Sequence, residues 1–414
     1  MRRLMMGLGI VMLLAAVLTM RPLRSRADDS IQGDWSARFT TTAEGVCVNL
    51  ELERSTWGHH SRWGNSHKLT DFAGLDASLA TAKDSPTHFE MRRDAGTIRF
   101  DGRFNGGEGH GRFTFAASGD YVQGMKALGY AGLSNEQLFA FTMHDVSRQF
   151  VKDMADAGYK GRDTDELVAF RIHGVTPEFA RAMQQLLPEK PSADDLVAFR
   201  IHGVSPEFTR SMIEVLPEKP SADGLVAMRI HGVNPGDTKE INALLGTRFD
   251  IDELVAFRIH GVSPDFVRGV QDAVSKGVSA DELVAMRIHG ADPQFAKGMS
   301  ALLGRRVPVD ELVAFRIHGV SPEFTQQMQE LVSKDLTADE LVAFRIHGVS
   351  PEFVRGMKDA GYANIPPDQL VAMRIHGVDA DFVKEVRSHG FQNPTIDDLI
   401  EMRIHGRYTR TSSM

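Results

Sequence analysis

Cysteine is almost absent from this sequence: Cys47 is the only one, so an internal disulfide is excluded and packing has to stabilise the fold. Basic residues are also in the minority, with 47 Lys and Arg against 55 Asp and Glu. A negative net charge argues against nucleic acid and anionic membrane surfaces as partners. Phosphate loops, nucleophile motifs and zinc-protease helices are missing too. We therefore expect no catalytic residue, no cofactor and no bound metal, which means that the chain is not an enzyme.

One long apolar run stands near the N-terminus. Two arginines precede it, it extends from Leu4 to Met20, and small residues stand at Ser25 and Ala27 just after it. This arrangement predicts a secretory signal peptide over residues 1–27 and a periplasmic or secreted protein. The alternative is an uncleaved membrane anchor, because the run approaches the length of a bilayer span. No other segment has that character, so no membrane span is expected after cleavage.

A 29-residue repeat fills most of the chain. The sequence Arg-Ile-His-Gly recurs at that interval nine times from Arg171 to Arg403, and a degenerate tenth copy contains Thr142. The array therefore covers residues 118–407, and residues 408–414 are expected to be a disordered tail. A fixed period of this length is typical of solenoids.

The first half of each repeat predicts a short helix, here called helix A. It follows a capping residue such as Ser350, which in seven copies precedes proline. Nine copies then have an aromatic residue with an apolar partner four residues later, as with Phe353 and Met357. Such a pair forms one buried stripe. In the fifth copy, Asp237 replaces the aromatic residue.

The second half predicts helix B, which begins with acids and ends with Arg, His and Gly, the order that the helix dipole favours. Its residues Leu341, Val342, Phe344 and Ile346 cover more than half of the helical circumference. We therefore expect helix B to be enclosed by neighbouring helices. The predicted fold is mainly α, an αα solenoid of ten two-helix repeats.

A small antiparallel β domain is predicted over residues 28–117, ahead of the solenoid. Five segments alternate apolar and polar residues, and a glycine-rich turn follows Asn105. The segments are Gly33–Thr40, Val46–Glu53, Thr87–Arg92, Thr97–Phe104 and Gly111–Phe115.

The run Leu-Val-Ala-Phe-Arg-Ile-His-Gly-Val-Ser-Pro-Glu-Phe-Val resembles the helical repeats of bacterial envelope proteins that have no assigned activity. Similar repeats follow the membrane part of some BlaR1-like sensor proteins of the M56 metallopeptidase type. The resemblance implies a bacterial source and an envelope context, and it implies no activity. The metallopeptidase part of those sensors needs several membrane spans and a His-Glu-x-x-His helix, and this sequence has neither.

The repeat arginines fall between Leu and Val on the helical wheel, within the apolar face. A guanidinium group there needs acceptors, because burying an unpaired charge is costly. We expect an Arg–acid ladder, with helix-end carbonyl groups as further acceptors, and a row of anion-binding arginines is the alternative. On this basis the truncation of Arg258 to alanine is expected to cost about 3–5 kcal/mol.

Histidine occurs in two patterns. One histidine per repeat, from His144 to His405, is predicted to line an outer edge of the stack, where the helix dipole favours it. Metal binding and a pH-sensitive surface are the alternatives for that row. The segment from Trp57 to His67 is predicted to be a hairpin loop with surface histidines, and a metal or glycan site is the alternative.

We expect the chain to be an exported, non-enzymatic scaffold that binds protein or peptide partners. An envelope sensor or metal-binding protein that uses the histidine rows is the alternative, and an enzyme site in the β domain is a weaker one. Partner contacts should lie where the internal copies differ. These positions are Arg181, Gln184, Gln185, Arg210, Lys239, Glu240, Arg268, Lys297, Gln326, Gln327 and Lys384.

Overall fold

The computed structural model describes residues 31–42, 45–56 and 59–406. The predicted signal peptide and the predicted tail lie outside these residues. The described residues divide into two compact units, with the boundary between Pro177 and Glu178. We call them the N-terminal unit and the C-terminal unit.

The N-terminal unit contains a six-stranded antiparallel sheet. Its strands are β1 (Gln32–Thr42), β2 (Gly45–Thr56), β3 (His59–Lys68), β4 (Ser85–Arg93), β5 (Gly96–Asn105) and β6 (Glu108–Ala117). They lie in the order β3-β2-β1-β6-β5-β4. Apart from the edge strand β3, the strands alternate more buried and more exposed residues, so one face of the sheet forms a core and the other meets water.

Aromatic side chains dominate the buried face of the sheet, and glycines make room for them. Trp35 is opposite Gly111 in the register of β1 and β6, and Gly102 is opposite Gly111 in β5 and β6. A Cβ atom at Gly102 would come within 2.6 Å of the indole ring, and one at Gly111 would come within 2.0 Å of the Asp101 carbonyl oxygen. The two glycines therefore permit the close packing of Trp35.

Strand β3 corrects one prediction. The segment from Trp57 to His67 was expected to be a loop, but residues 59–68 pair with β2 along ten positions. Most of its residues are polar, which obscures the alternation that marks a strand in a sequence. Strand β3 lies at the edge of the sheet, where backbone pairing with one neighbour suffices and polar side chains can face water.

The described residues also form twenty α-helices, two in each repeat, which confirms the predicted solenoid. Helices A are α1 (Gly119–Ala127), α3 (Arg148–Asp156), α5 (Pro177–Leu186), α7 (Pro206–Val215), α9 (Pro235–Leu245), α11 (Pro264–Ala273), α13 (Pro293–Leu303), α15 (Pro322–Leu331), α17 (Pro351–Asp359) and α19 (Ala380–Ser388). Helices B are α2 (Asn135–Met143), α4 (Thr164–Ile172), α6 (Ala193–His202), α8 (Ala222–Ile230), α10 (Ile251–His260), α12 (Ala280–His289), α14 (Val309–His318), α16 (Ala338–His347), α18 (Pro367–His376) and α20 (Ile396–His405).

The helix boundaries follow from the capping residues. The Ser350 side chain accepts a hydrogen bond from the backbone N–H of Phe353, and Thr337 caps α16 in the same way. Helix α16 ends at Gly348, whose φ of 72° is the left-handed conformation that glycine adopts without strain. A Cβ atom there would also lie 3.2 Å from the Arg374 guanidinium group of the next repeat.

Within the C-terminal unit, consecutive helices A pack against each other from α7 to α19, and consecutive helices B pack against each other from α6 to α20. Leu341 and Phe344 of helix B are fully buried, as is Met357 of helix A. The same positions are buried in the other repeats of this unit, except that Met402 in the last repeat is half-buried, so one apolar core runs through the stack.

Candidate binding surface

The repeat arginines contact a phenylalanine of their own repeat. In α12, the Arg287 guanidinium group lies over the Phe266 ring, with its central carbon 4.9 Å from the ring centroid. Such a cation–π contact is favourable while the charged group keeps one side in water. The same pair recurs in the C-terminal unit as Arg200–Phe179, Arg229–Phe208, Arg316–Phe295, Arg345–Phe324, Arg374–Phe353 and Arg403–Phe382.

Several of these arginines also bind the preceding repeat. The Nε of Arg287 donates a hydrogen bond to the His260 carbonyl oxygen at 3.1 Å, and that of Arg316 donates to the Gly290 carbonyl oxygen at 2.7 Å. Both acceptors lie at the C-terminal end of a helix B, where carbonyl groups lack helical partners and the dipole is negative. The arginine thus connects its own helix A with the preceding helix B.

The predicted Arg–acid ladder is therefore wrong as a general feature, whereas the predicted helix-end carbonyl acceptors are present. Most of these arginines are exposed, because the guanidinium group reaches past the apolar core to the surface. In the C-terminal unit, Arg258 does bind an acid: its Nη1 lies 3.1 Å from the Asp237 carboxylate. Asp237 stands where the other repeats have the aromatic residue, so a carboxylate replaces the ring as the partner of the guanidinium group.

The repeat isoleucines differ most from what the sequence pattern predicts. We expected them to be enclosed, but the structure leaves 51–57% of each one exposed. On helix B they lie about 140° from the buried leucine, which turns them outward. In the C-terminal unit these residues form a surface that we call the isoleucine face: Ile201, Ile230, Ile259, Ile288, Ile317, Ile346, Ile375 and Ile404.

The isoleucine face has a charged margin at each end of helix B. In α16, Asp339 and Glu340 lie in the first turn, and Arg345 and His347 lie in the last turn. The aspartate is exposed, and the histidines of the C-terminal unit are exposed or half-buried. An apolar surface with acidic and basic margins is suited to binding another protein.

The residues predicted to contact a partner lie on the helices A of the C-terminal unit. Arg181, Gln185, Arg210, Lys239, Glu240, Arg268, Lys297, Gln326, Gln327 and Lys384 are exposed, and Gln184 is half-buried. Several of them are already paired: Arg210 lies 3.6 Å from Glu207 and Lys384 lies 2.8 Å from Asp381 on the same helix. Arg268 pairs with Glu240 of the preceding repeat. Pairs of this kind stabilise a helix slightly, which gives these charges a structural role as well.

The sequence left metal binding as an alternative role for the histidines. In the described part of the chain, no group of three or more His, Cys, Asp or Glu side chains is placed to hold a metal ion.

No helix among the described residues is long and apolar enough to span a bilayer.

A charge network joins the sheet to the first repeats within the N-terminal unit. The Arg93 guanidinium group lies 3.2 Å from Asp71 and 3.4 Å from Asp145, and Arg171 lies 2.7 Å from Asp145. His67 is buried beside this network, 3.8 Å from Asp71. It was predicted to be a surface histidine, but its position in the edge strand turns it inward.

Burial lowers the pKa of His67 and that of His144 below the ordinary value of 6.5. Asp71 counteracts this effect at His67, whereas Arg93 and His144 add to it. At His144, the positive charge of Arg171 lowers the pKa further. Both environments therefore favour the neutral form of the imidazole ring in the folded state.

The outer face of the sheet carries a polar cleft of about 490 Å³. Its lining includes Arg38, Glu108, Glu51 and His110. Arg38 pairs with Glu108 at 2.6 Å, and Glu51 pairs with Arg62 at 2.5 Å. These charges satisfy one another across neighbouring strands, so cross-strand pairing accounts for them.

No family model and no curated protein matches this chain.

Proposed function

We propose that the chain is a non-enzymatic scaffold of the bacterial envelope that binds protein or peptide partners through the isoleucine face. The observation that supports this proposal is the recurrence of an exposed isoleucine at one position of every Arg-Ile-His-Gly repeat. The predicted signal peptide and the resemblance to envelope repeats give the proposed location.

Repetition alone does not explain the isoleucines. Leu341 and Phe344 recur because each repeat has to stack on the next, and they are fully buried. Ile346 is more than half exposed, so a polar residue at its position would cost little stacking energy. An exposed position of helix A shows this freedom: two residues after the phenylalanine, Arg, Lys and Gln all occur. An apolar residue that recurs where polar ones would serve indicates a surface used for binding.

The isoleucine face is the better candidate of the two exposed surfaces. The residues first predicted as partner contacts are charged or polar, and several are paired with each other or with their own helix. A partner would have to remove water from those pairs and would gain little from them. In known complexes the binding energy is concentrated at the buried centre of the interface, which is more apolar than its polar margin.

Capture from a bacterial envelope extract tests the proposal with two matched variants. The first combines Ile259→Gln, Ile288→Gln and Ile317→Gln, and the second combines Arg268→Gln, Lys297→Gln and Arg355→Gln on helices A. Both triple variants should keep the circular dichroism spectrum of the native chain. We expect proteins retained by the native chain to stay with the second variant and to fall about tenfold with the first. Loss with the second variant alone would transfer the binding surface to helices A.

A further inference from the structure

We infer that the isoleucine face of one chain docks on the isoleucine face of a second copy, about a two-fold axis that runs along the row of isoleucines. This inference deepens the proposed function, because it names the partner of the same surface. It depends on the uniformity of the row, on the order of charges along helix B and on the apolar area.

Uniformity of the row favours a partner that has the same period. An irregular protein surface would require different residues at different repeats, since each repeat would meet a different environment. The eight isoleucines of the C-terminal unit are instead identical and almost equally exposed, between 51% and 57%. A second copy of the chain presents the same side chain at the same interval, so that each repeat can meet an equivalent one.

The order of charges along helix B selects the axis. In α12, Asp281 and Glu282 lie in the first turn, and Arg287 and His289 lie in the last turn. A two-fold axis along the row reverses the direction of helix B across the interface. Acidic first turns then face basic last turns, and the two helix dipoles are antiparallel. An axis parallel to the helices would place acid against acid.

The position of the isoleucines agrees with this axis. Ile288 belongs to the last turn of α12, but a helical side chain leans toward the N-terminus and covers the surface about one turn before its own Cα atom. The apolar stripe therefore lies near the middle of the helix, beside the half-buried Val284 and Ala285. An axis through the middle places isoleucine against isoleucine.

The apolar area is large enough for a stable interface. Each isoleucine leaves roughly 100 Å² of side chain in water, so eight of them offer about 800 Å², which is what one partner contributes to an interface of standard size. The half-buried valines and alanines of the same helices add to that apolar area.

Sedimentation equilibrium of the purified full chain tests the association. The native chain should form dimers at roughly micromolar concentration, and the helix-A triple variant should do the same. The variant with Ile259→Gln, Ile288→Gln and Ile317→Gln should have a dissociation constant at least about tenfold higher. A native chain that stays monomeric up to about 100 μM, or a dimer that the isoleucine substitutions leave unchanged, would overturn the inference.

Cross-linking tests the axis. In a Cys47→Ser background, Ile230→Cys and Ile375→Cys are introduced in separate chains, each with its own tag, and treated with a short bis-maleimide. An axis along the row keeps every repeat opposite its own counterpart, so each variant should cross-link to itself. A mixture of the two should yield no 230–375 adduct. Such an adduct would contradict the inferred axis, because it requires the two rows to run in opposite directions.

The two proposals fail differently. A monomeric chain whose isoleucine variant loses captured envelope proteins would refute self-association and leave the scaffold proposal intact. If the isoleucine variant keeps both the dimer and the captured proteins, the isoleucine face has neither role.

Discussion

Truncation of Arg287 to alanine removes one contact within its own repeat and one contact with the preceding repeat. One is the cation–π contact with Phe266 at 4.9 Å, and the other is the hydrogen bond to the His260 carbonyl oxygen at 3.1 Å. Arg287 is exposed, so the substitution leaves no buried charge behind. The loss should therefore be the sum of two modest terms.

The magnitude follows from those terms. A cation–π contact at an exposed site contributes about 0.5–1 kcal/mol, and a hydrogen bond contributes about 0.5–1.5 kcal/mol net. We expect Arg287→Ala to lower the free energy of unfolding by about 1–2.5 kcal/mol. This value is well below the 3–5 kcal/mol or so that a broken buried ion pair costs.

Urea denaturation followed by circular dichroism measures the difference. Lys297→Ala on α13 is the control, and its cost should stay within about 0.5 kcal/mol because the side chain is exposed and lies outside the isoleucine face. A double-mutant cycle with Phe266→Leu isolates the cation–π contribution. A loss above about 3 kcal/mol would show that the arginine is effectively buried, and a loss equal to that of the control would show that neither contact matters.

Two further predictions concern the N-terminal unit. Because the folded-state pKa of His67 and that of His144 lie below the unfolded value of 6.5, the unfolded chain binds more protons in mild acid. Their contribution to the free energy of unfolding should be complete above about pH 6.5 and should decrease as the pH falls. The midpoints of urea denaturation between about pH 7.5 and pH 5.5 measure this decrease. If the midpoints of a His67→Gln variant fall just as steeply, His67 does not cause the pH dependence. Gly111→Ala should lower the free energy of unfolding by at least about 1–3 kcal/mol. The reason is that the new Cβ atom would lie 2.0 Å from the Asp101 carbonyl oxygen and 2.8 Å from the Trp35 indole nitrogen. An unchanged melting temperature would show that the sheet adjusts freely.

Much of the helical fold could be predicted because local rules determine it. Cap residues such as Ser350 and Thr337 recur at a fixed interval, and the structure begins a helix after each of them. The glycine at the end of helix B adopts the expected left-handed conformation. Strand β3 was missed because it carries few apolar residues, and pairing at a sheet edge depends on backbone groups that a hydrophobic pattern does not reveal.

The side-chain environments of helix B were harder to predict. A helical wheel places Ile346 and Val342 on one apolar arc, but it does not show how many sides of the helix have neighbours. In the stack, helix B contacts its own core and the helices B before and after it, which leaves the isoleucine side open. The partner of Arg258 could have been inferred, because the fifth repeat lacks the aromatic residue and has Asp237 instead.

Site-specific photo-cross-linking tests the central claim, that the isoleucine face is the binding surface. A photoreactive phenylalanine analogue is placed at position 288 or, as control, at position 297 of the full chain exported in a bacterium, and adducts are identified by mass. Both native residues are exposed, Ile288 on helix B and Lys297 on helix A. We predict a discrete adduct from position 288 and none from position 297, and an adduct mass of twice the chain would identify a second copy as the partner. Adducts from position 297 alone would contradict the account.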